Sequence, residues 1–242
     1  MLDNQSRIPL YHQLIDFIAA QIHSGAWRAG DRIPSEGDLG MQFNISRTTV
    51  RTALGELENQ GLLTRVQGKG TFVAHPRIHQ RLNRLTGFTT DMQTRRLQPS
   101  SRVLIAQDVP VPPKVAQPLQ VTPGSLVIML QRLRLADGTP MAVETAYLHG
   151  DFCPGLLSDD LSDKSLYEVL STRFKVLPAR AVQELEAMAC PGQEARLLNI
   201  HKGSPVLHIF RTTYDQDDRP FERVESYYRG DRYIFYAELT QE

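Results

Sequence analysis

Apolar positions near the start of the chain fall at Leu10, Leu14, Phe17, Ile18 and Ile22, a helical period that opens after Pro9 and closes at Gly25. After a loop around Trp27 to Gly30, Pro34-Ser35-Glu36 opens a second helix with Leu39, Met41 and Phe43 as its apolar content. Asn44-Ile45 makes a tight turn, and Ser46 is placed to cap a third helix running to about Gln60. In that helix Val50, Ala53, Leu54 and Leu57 form one apolar stripe. The opposite side carries Thr48, Arg51, Thr52 and Gly55, with Arg47 at the stripe's edge. Gly61 ends the helix, and Leu62–Val66 and Thr71–Val73 alternate as two strands around Gln67-Gly68-Lys69-Gly70.

This order predicts a helix-turn-helix followed by a basic hairpin, a winged arrangement. A small, hydroxyl-rich, cationic helix face fits a DNA major groove. There an arginine forks onto guanine while threonine hydroxyls meet phosphate. Lys69 or Arg65 at the hairpin would reach phosphate or the minor groove. Charge adds little: the 242 residues carry no net charge. Residues 44–72 hold Arg47, Arg51, Arg65 and Lys69 against Glu56 and Glu58, a local net of +2.

From Ser101 the pattern changes. Val103, Ile105, Leu126–Leu135, Ala142–Leu148, Arg180–Met188, Pro205–Tyr214 and Phe221–Tyr228 read as strands. Helical windows fall at Lys114–Leu119, at Ser165–Phe174 (capped at Ser162 or Asp163) and at Gln193–Ile200 behind Pro191. Hairpin turns at Asp137-Gly138 and Asp217-Asp218 predict an antiparallel sheet, so the fold class is α+β. The expected domains are a winged helix-turn-helix over 1–75, a linker over 76–84 and a second domain over 85–242. His75 and His79 in the linker region lack further metal ligands nearby, and no metal or cofactor is expected. Cys153 and Cys190 fit no metal or redox spacing, and two reduced thiols or a single bridge are both open. With no signal pattern and no membrane-length apolar run, the protein is expected in the cytoplasm.

Arg132 and Arg134 stand on one strand face, roughly 7 Å apart by strand rise, beside Ile128 and Leu130. Arginines on a core face need an anion. That anion is either a ligand or the carboxylate of Glu144, which lies opposite Arg132 if the loop is Asp137-Gly138-Thr139. An even-numbered loop would send the two to opposite faces. Thr89 or Thr90 as the N-cap of one helix, and Ser165 and Tyr167 at the start of another, add hydroxyls and backbone N–H groups suited to phosphate.

Two resemblances follow from these residues. Pro9-Leu10-Tyr11, Pro34-Ser35-Glu36, Ser46-Arg47-Thr48-Thr49-Val50-Arg51, Gly61-Leu62-Leu63 and Gly68-Lys69-Gly70-Thr71-Phe72-Val73 resemble the DNA-binding domain of GntR-family bacterial regulators. That resemblance implies base contacts from Arg47, Arg51 and Gly68, with Ser46, Thr48, Thr49 and Lys69 nearer phosphate. Gly37 departs from the family, which often places Arg after Pro-Ser-Glu, so the operator sequence does not carry over.

Leu85 to Met92, Arg132-Leu133-Arg134, Pro140 to Glu144, Ser165-Leu166-Tyr167, Gln183-Glu184-Leu185 and Tyr228 to Tyr233 resemble the UTRA effector domain of the HutC subfamily, which has a chorismate-lyase-like fold. Within that subfamily the chain resembles NagR-type regulators of amino-sugar use. The likeness implies a repressor of N-acetylglucosamine utilisation, active as a homodimer on a pseudo-palindromic operator. The implied effector is glucosamine-6-phosphate or N-acetylglucosamine-6-phosphate. By the same resemblance Phe88, Thr89, Thr90, Arg132, Arg134, Ser165 and Tyr167 take the phosphate, and Glu144 and Tyr228 the sugar hydroxyls. Glu222, on the strand face of Tyr228, either joins them or pairs with an arginine. Urocanate, a phosphonate or another sugar phosphate remain alternative effectors. A lyase activity is disfavoured, because no nucleophile–base pair, metal cluster or phosphate-binding glycine motif is present.

Overall fold

The computed structural model describes residues 2, 3, 6–66, 68–75 and 77–240, which divide between Met1–Arg77 and Ile78–Glu242 into two compact units. Gln67 of the hairpin turn, Pro76 of the expected linker, and the chain ends 1 and 241–242 lie outside the described residues.

In the first unit α1 (Leu10–His23), α2 (Glu36–Phe43) and α3 (Arg47–Asn59) are followed by β1 (Leu63–Val66) and β2 (Gly70–Val73). The predicted period is what packs it: Leu14, Ile18, Leu39, Val50, Ala53, Leu54 and Leu57 are all buried, joined by Leu63 and Val73 of the hairpin. Ser35 caps α2 through a reciprocal capping box with Asp38. Ser46 caps α3 by accepting a hydrogen bond from the Thr49 backbone N–H. Between them Asn44 takes the left-handed conformation that makes the turn short.

The second unit is built on a six-stranded antiparallel sheet. It uses β4 (Pro99–Pro110), β5 (Leu126–Ala136), β6 (Thr139–Leu148), β7 (Arg180–Ala189), β8 (Pro205–Tyr214) and β9 (Pro220–Arg229), in the order β4-β5-β6-β9-β8-β7. Side chains alternate between its faces. One face packs α4 (Phe88–Thr94) and α6 (Leu166–Arg173) through Phe88, Met92, Leu166 and Leu170. The other packs α5 (Pro113–Ala116) and α7 (Gly192–Leu198) through Val115, Ala116, Ala195 and Leu198. No helix among the described residues is long and apolar enough to cross a membrane.

Four local expectations are corrected. First, the segment read as linker contains a strand, β3 (Ile78–Arg81), paired in parallel with β10 (Tyr233–Tyr236). Only Ile78 is apolar in it, so its strand character comes from partner pairing and not from a visible alternation. Second, the N-cap of α4 is Gly87, which places Thr89 and Thr90 inside the first turn. Third, α6 is capped by Ser165 itself, whose hydroxyl accepts from the Glu168 N–H. Asp163 instead accepts from the Ser101 N–H. Fourth, the β5–β6 loop is the even-numbered pair Asp137-Gly138, with Ala136 opposite Thr139, yet Arg132 still pairs with Glu144. A register shift between Arg134 and Leu135 leaves Met141 as the extra residue of a β-bulge and returns both side chains to one face. Cys153 and Cys190 are free and buried, and burial pushes the Cys153 thiol up to about 12.

Candidate functional site

The first unit presents the start of α3 beside the β1–β2 hairpin. Arg47, Thr48 and Arg51 are exposed on α3, whereas the Ser46 and Thr49 hydroxyls are 2.8 Å apart and engaged in capping. Gly68 has φ +73°, the left-handed conformation that favours glycine, and with exposed Lys69 it forms the hairpin tip. The unforeseen member is Glu36, at the first turn of α2. Its carboxylate lies 3.2 Å from Arg51 and 3.5 Å from Arg65, so one acid links the exposed faces of α3 and the wing. A carboxylate directly before a glycine in Pro-Ser-Glu-Gly was the available signal. These pairs are exposed and weak, so Glu36 orients Arg51 without locking it away from a stronger anion.

In the second unit the sheet face that carries α4 and α6 encloses a pocket. Arg132 and Arg134 of β5, Glu144 of β6, Glu222 of β9 and Arg211 of β8 project into it, closed over by Phe88, Thr89, Ser165 and Tyr167. Eight of the ten residues expected to bind an effector are thereby brought together. Thr90 and Tyr228 are not in the lining. Thr90 is exposed, a helical step round from Thr89. Tyr228 sits behind the pocket and donates its hydroxyl to Glu144 at 3.1 Å. Arg211 was not anticipated, since a single arginine on an alternating strand reads as a solvated position. Its face is fixed by pairing opposite Val224.

The charges interlock. Arg134, 2% exposed, donates to the Thr89 hydroxyl at 3.0 Å, stacks over the Phe88 ring at 4.6 Å and lies 3.3 Å from a Glu144 oxygen. That last approach is off the N–H direction, so Arg134 Nε has no hydrogen bond, and neither do Arg134 Nη1, Arg132 Nε and Arg211 Nε among the described residues. Arg132 lies 3.8 Å from Glu144. Glu222 accepts from the Tyr167 hydroxyl at 2.8 Å and the Thr213 hydroxyl at 3.1 Å. Burial and the neighbouring Arg134 push Arg132 down to about 10, so it stays cationic at neutral pH. Burial alone would raise Glu144, but Arg134 and Arg132 outweigh it and hold the carboxyl below its usual range. Three guanidiniums against two carboxylates leave the pocket one positive charge in excess, with several buried N–H groups unmatched. It is tightly filled, with about 30 Å³ of free space, well below the roughly 300 Å³ at which small-molecule pockets begin. A ligand larger than a few waters must move part of the wall. Gly87 is the natural place: a Cβ there would stand 3.3 Å from the Tyr167 ring, so its absence lets the start of α4 close down on Tyr167.

Comparison with known proteins covers both units. Residues 10–73 match the family described as bacterial regulatory proteins, gntR family, and residues 94–234 match the UTRA domain. The chain is 41% identical over 235 residues to the HTH-type transcriptional repressor NagR of Bacillus subtilis, covering 97% of this chain and 96% of that one. It is 33% identical to the mannosyl-D-glycerate transport/metabolism system repressor MngR of Escherichia coli, with 94% of each chain covered. Among solved structures it is similar to PhnF from Mycobacterium smegmatis, at a TM-score of 0.68 and 30% identity over 96% of this chain and 99% of that chain.

Proposed function

This chain belongs to the gntR family of bacterial regulatory proteins, in the branch that carries a UTRA domain, and we propose that it represses amino-sugar utilisation genes under the control of a sugar phosphate. That it is a ligand-responsive DNA-binding repressor and not an enzyme follows from the family. The amino-sugar assignment is our reading. One observation carries it: three guanidiniums and two carboxylates face one buried pocket. A phosphate ester bearing hydroxyls or an amine satisfies both signs, with Arg132, Arg134, Ser165 and Thr89 on the phosphate and Glu144 and Glu222 on the sugar. A small flat carboxylate such as urocanate offers those two acids only the N–H of its imidazole ring, where a sugar brings several hydroxyls. The similarity to NagR points the same way, and glucosamine-6-phosphate and N-acetylglucosamine-6-phosphate are the ligands we favour.

The repressor would act in the cytoplasm as a two-fold homodimer, because one short helix reads too few bases for useful specificity. The exposed edge strand β7, with Val182 and Leu185 turned outward, offers surface for a second copy. Ligand would release operator by preferring the arrangement that DNA does not. Operator DNA must then weaken ligand binding by the same factor.

A thermal-shift panel of sugar phosphates, plain sugars and small carboxylates tests the assignment. An amino-sugar phosphate is expected to raise the unfolding temperature most, and a response to plain sugars or carboxylates alone would refute it. On the DNA side, Arg51→Ala is expected to cost about 1–3 kcal/mol of operator affinity and to relax one base position. Titrating the variant against operators mutated singly checks this, and undiminished affinity removes Arg51 from the base contacts.

A further inference from the structure

Arg211 borders two cavities. Besides the closed pocket it lines a second, of about 290 Å³, bounded by Arg81 and Arg84 at the end of β3 and in the turn beyond it, and by Arg180 and Gln183 of β7. Four arginines contribute to the lining, together with the amides of Gln80, Asn83 and Gln183, and no Asp or Glu is among the lining residues. The contrast with the closed pocket is direct, since that one carries its own acids, Glu144 and Glu222.

Two of the guanidiniums are fastened from outside the cavity. Arg81 donates to the Tyr236 hydroxyl at 2.7 Å and lies over that ring. Arg180 donates to Asp218 at 2.9 Å and stacks on Tyr214 at 3.9 Å. Neither partner belongs to the lining, so each arginine is oriented while its remaining N–H groups stay available. Of the other two, Arg84 makes no ion pair or hydrogen bond among the described residues, and Arg211 is shared with the closed pocket, where Glu222 and Glu144 hold its guanidinium charged. Exposed arginines taken singly require nothing. Four of them lining one hollow, with amides between them and no acid in the lining, leave Arg81 and Arg84 without an ion-pair partner among the described residues, a positive charge that an anion relieves.

We infer that this cavity is a second anion site, separate from the closed pocket, for a small multiply charged phosphate compound of pyrophosphate size or a compact phosphate ester. Guanidiniums select phosphate by their forked donors, and the amides suit the oxygens of its neighbouring group. Because Arg211 forms a wall of both cavities, occupancy of one changes the field in the other.

Calorimetric titration of the full chain with inorganic pyrophosphate at low ionic strength tests this, using Arg84→Gln/Arg180→Gln and, separately, Arg134→Ala. The first variant is expected to weaken pyrophosphate binding by at least about tenfold, the usual worth of a lost hydrogen bond to a charged group. Arg134→Ala should leave that binding in place. Unchanged affinity in Arg84→Gln/Arg180→Gln overturns the inference, as does the absence of any binding by the wild-type chain. Loss confined to Arg134→Ala would seat the anion in the closed pocket and also overturn it. Sugar phosphates are not used here, so failure of the effector assignment and failure of this site are read from different titrations.

Discussion

Arg134→Ala is expected to abolish release of operator DNA by glucosamine-6-phosphate while leaving operator affinity in the absence of ligand unchanged. The side chain is 2% exposed and is held between the Thr89 hydroxyl, the Phe88 ring and Glu144, with Nη1 unmatched. A buried fork of this kind gives a phosphate two charge-assisted hydrogen bonds. Losing both costs roughly 3 kcal/mol or more, over a hundredfold in Kd. Fluorescence anisotropy of labelled operator, titrated with the sugar phosphate, measures the effect. A variant still released at the wild-type ligand concentration contradicts the clamp. The substitution also strands Glu144 beside a more distant Arg132, at a cost to the second unit of about 3–5 kcal/mol by the usual penalty for breaking a buried pair.

That penalty has a pH signature. In the wild-type protein Glu144 is held low against its own burial by Arg134 and Arg132. Its stabilising contribution is therefore present above the unfolded carboxyl pKa and lost as pH falls through the folded one. With Arg134 gone, the cation that most opposes burial is lost and the carboxyl pKa moves upward. The variant then loses less stability than the wild type as pH falls, so its deficit in unfolding temperature should shrink on acidification. A deficit that widens on acidification would mean that Glu144 is not the group left unpaired.

Much of the first unit was legible because its elements are short and amphipathic and two of its three helices are capped by their own serines. Ser35, Ser46, Asn44 and Gly61 punctuate the chain, and the Val50–Leu57 stripe has one way to face inward. The second unit was legible wherever alternation and turn chemistry sufficed. Where geometry depends on a partner strand, the reading stopped. Nothing in Ile78-His79-Gln80-Arg81 announces a strand until Tyr233–Tyr236 lies beside it. The bulge at Met141 that restores Arg132 to Glu144 is a registration event between two strands, invisible to a count of loop residues. The same limit explains the site. The two arginines on β5 were found because they are adjacent on one face. Arg211 enters the pocket only through the order β6-β9-β8, which no local pattern specifies. Thr90 was misplaced by the position of a cap: a helix starting at Phe88 turns it away from the pocket.

The second large effect expected is on DNA binding by salt. Arg65 and Lys69 are exposed on one unit together with Arg47 and Arg51, and the first two are the cations we assign to phosphates, with Arg47 and Arg51 kept for base edges. In a dimer that makes about four neutralised phosphates. Counterion release then gives a slope of about −3.6 for the logarithm of affinity against the logarithm of salt, and a fall of about 10²-fold between 50 and 200 mM. Operator titrations at four or five salt concentrations measure the slope. Lys69→Ala should make it shallower by about 2 for the dimer, with little change in preference among operator variants. Arg51→Ala should do the converse and shift preference with little change in slope. Glu36 sharpens the distinction. Because it lies against both Arg51 and Arg65, DNA binding must displace it or leave it as a nearby negative charge. Glu36→Gln is therefore expected to tighten non-specific binding more than operator binding, trading selectivity for grip. A flat salt dependence would contradict the DNA interface itself, and equal slope changes for Lys69→Ala and Arg51→Ala would dissolve the division between gripping and reading.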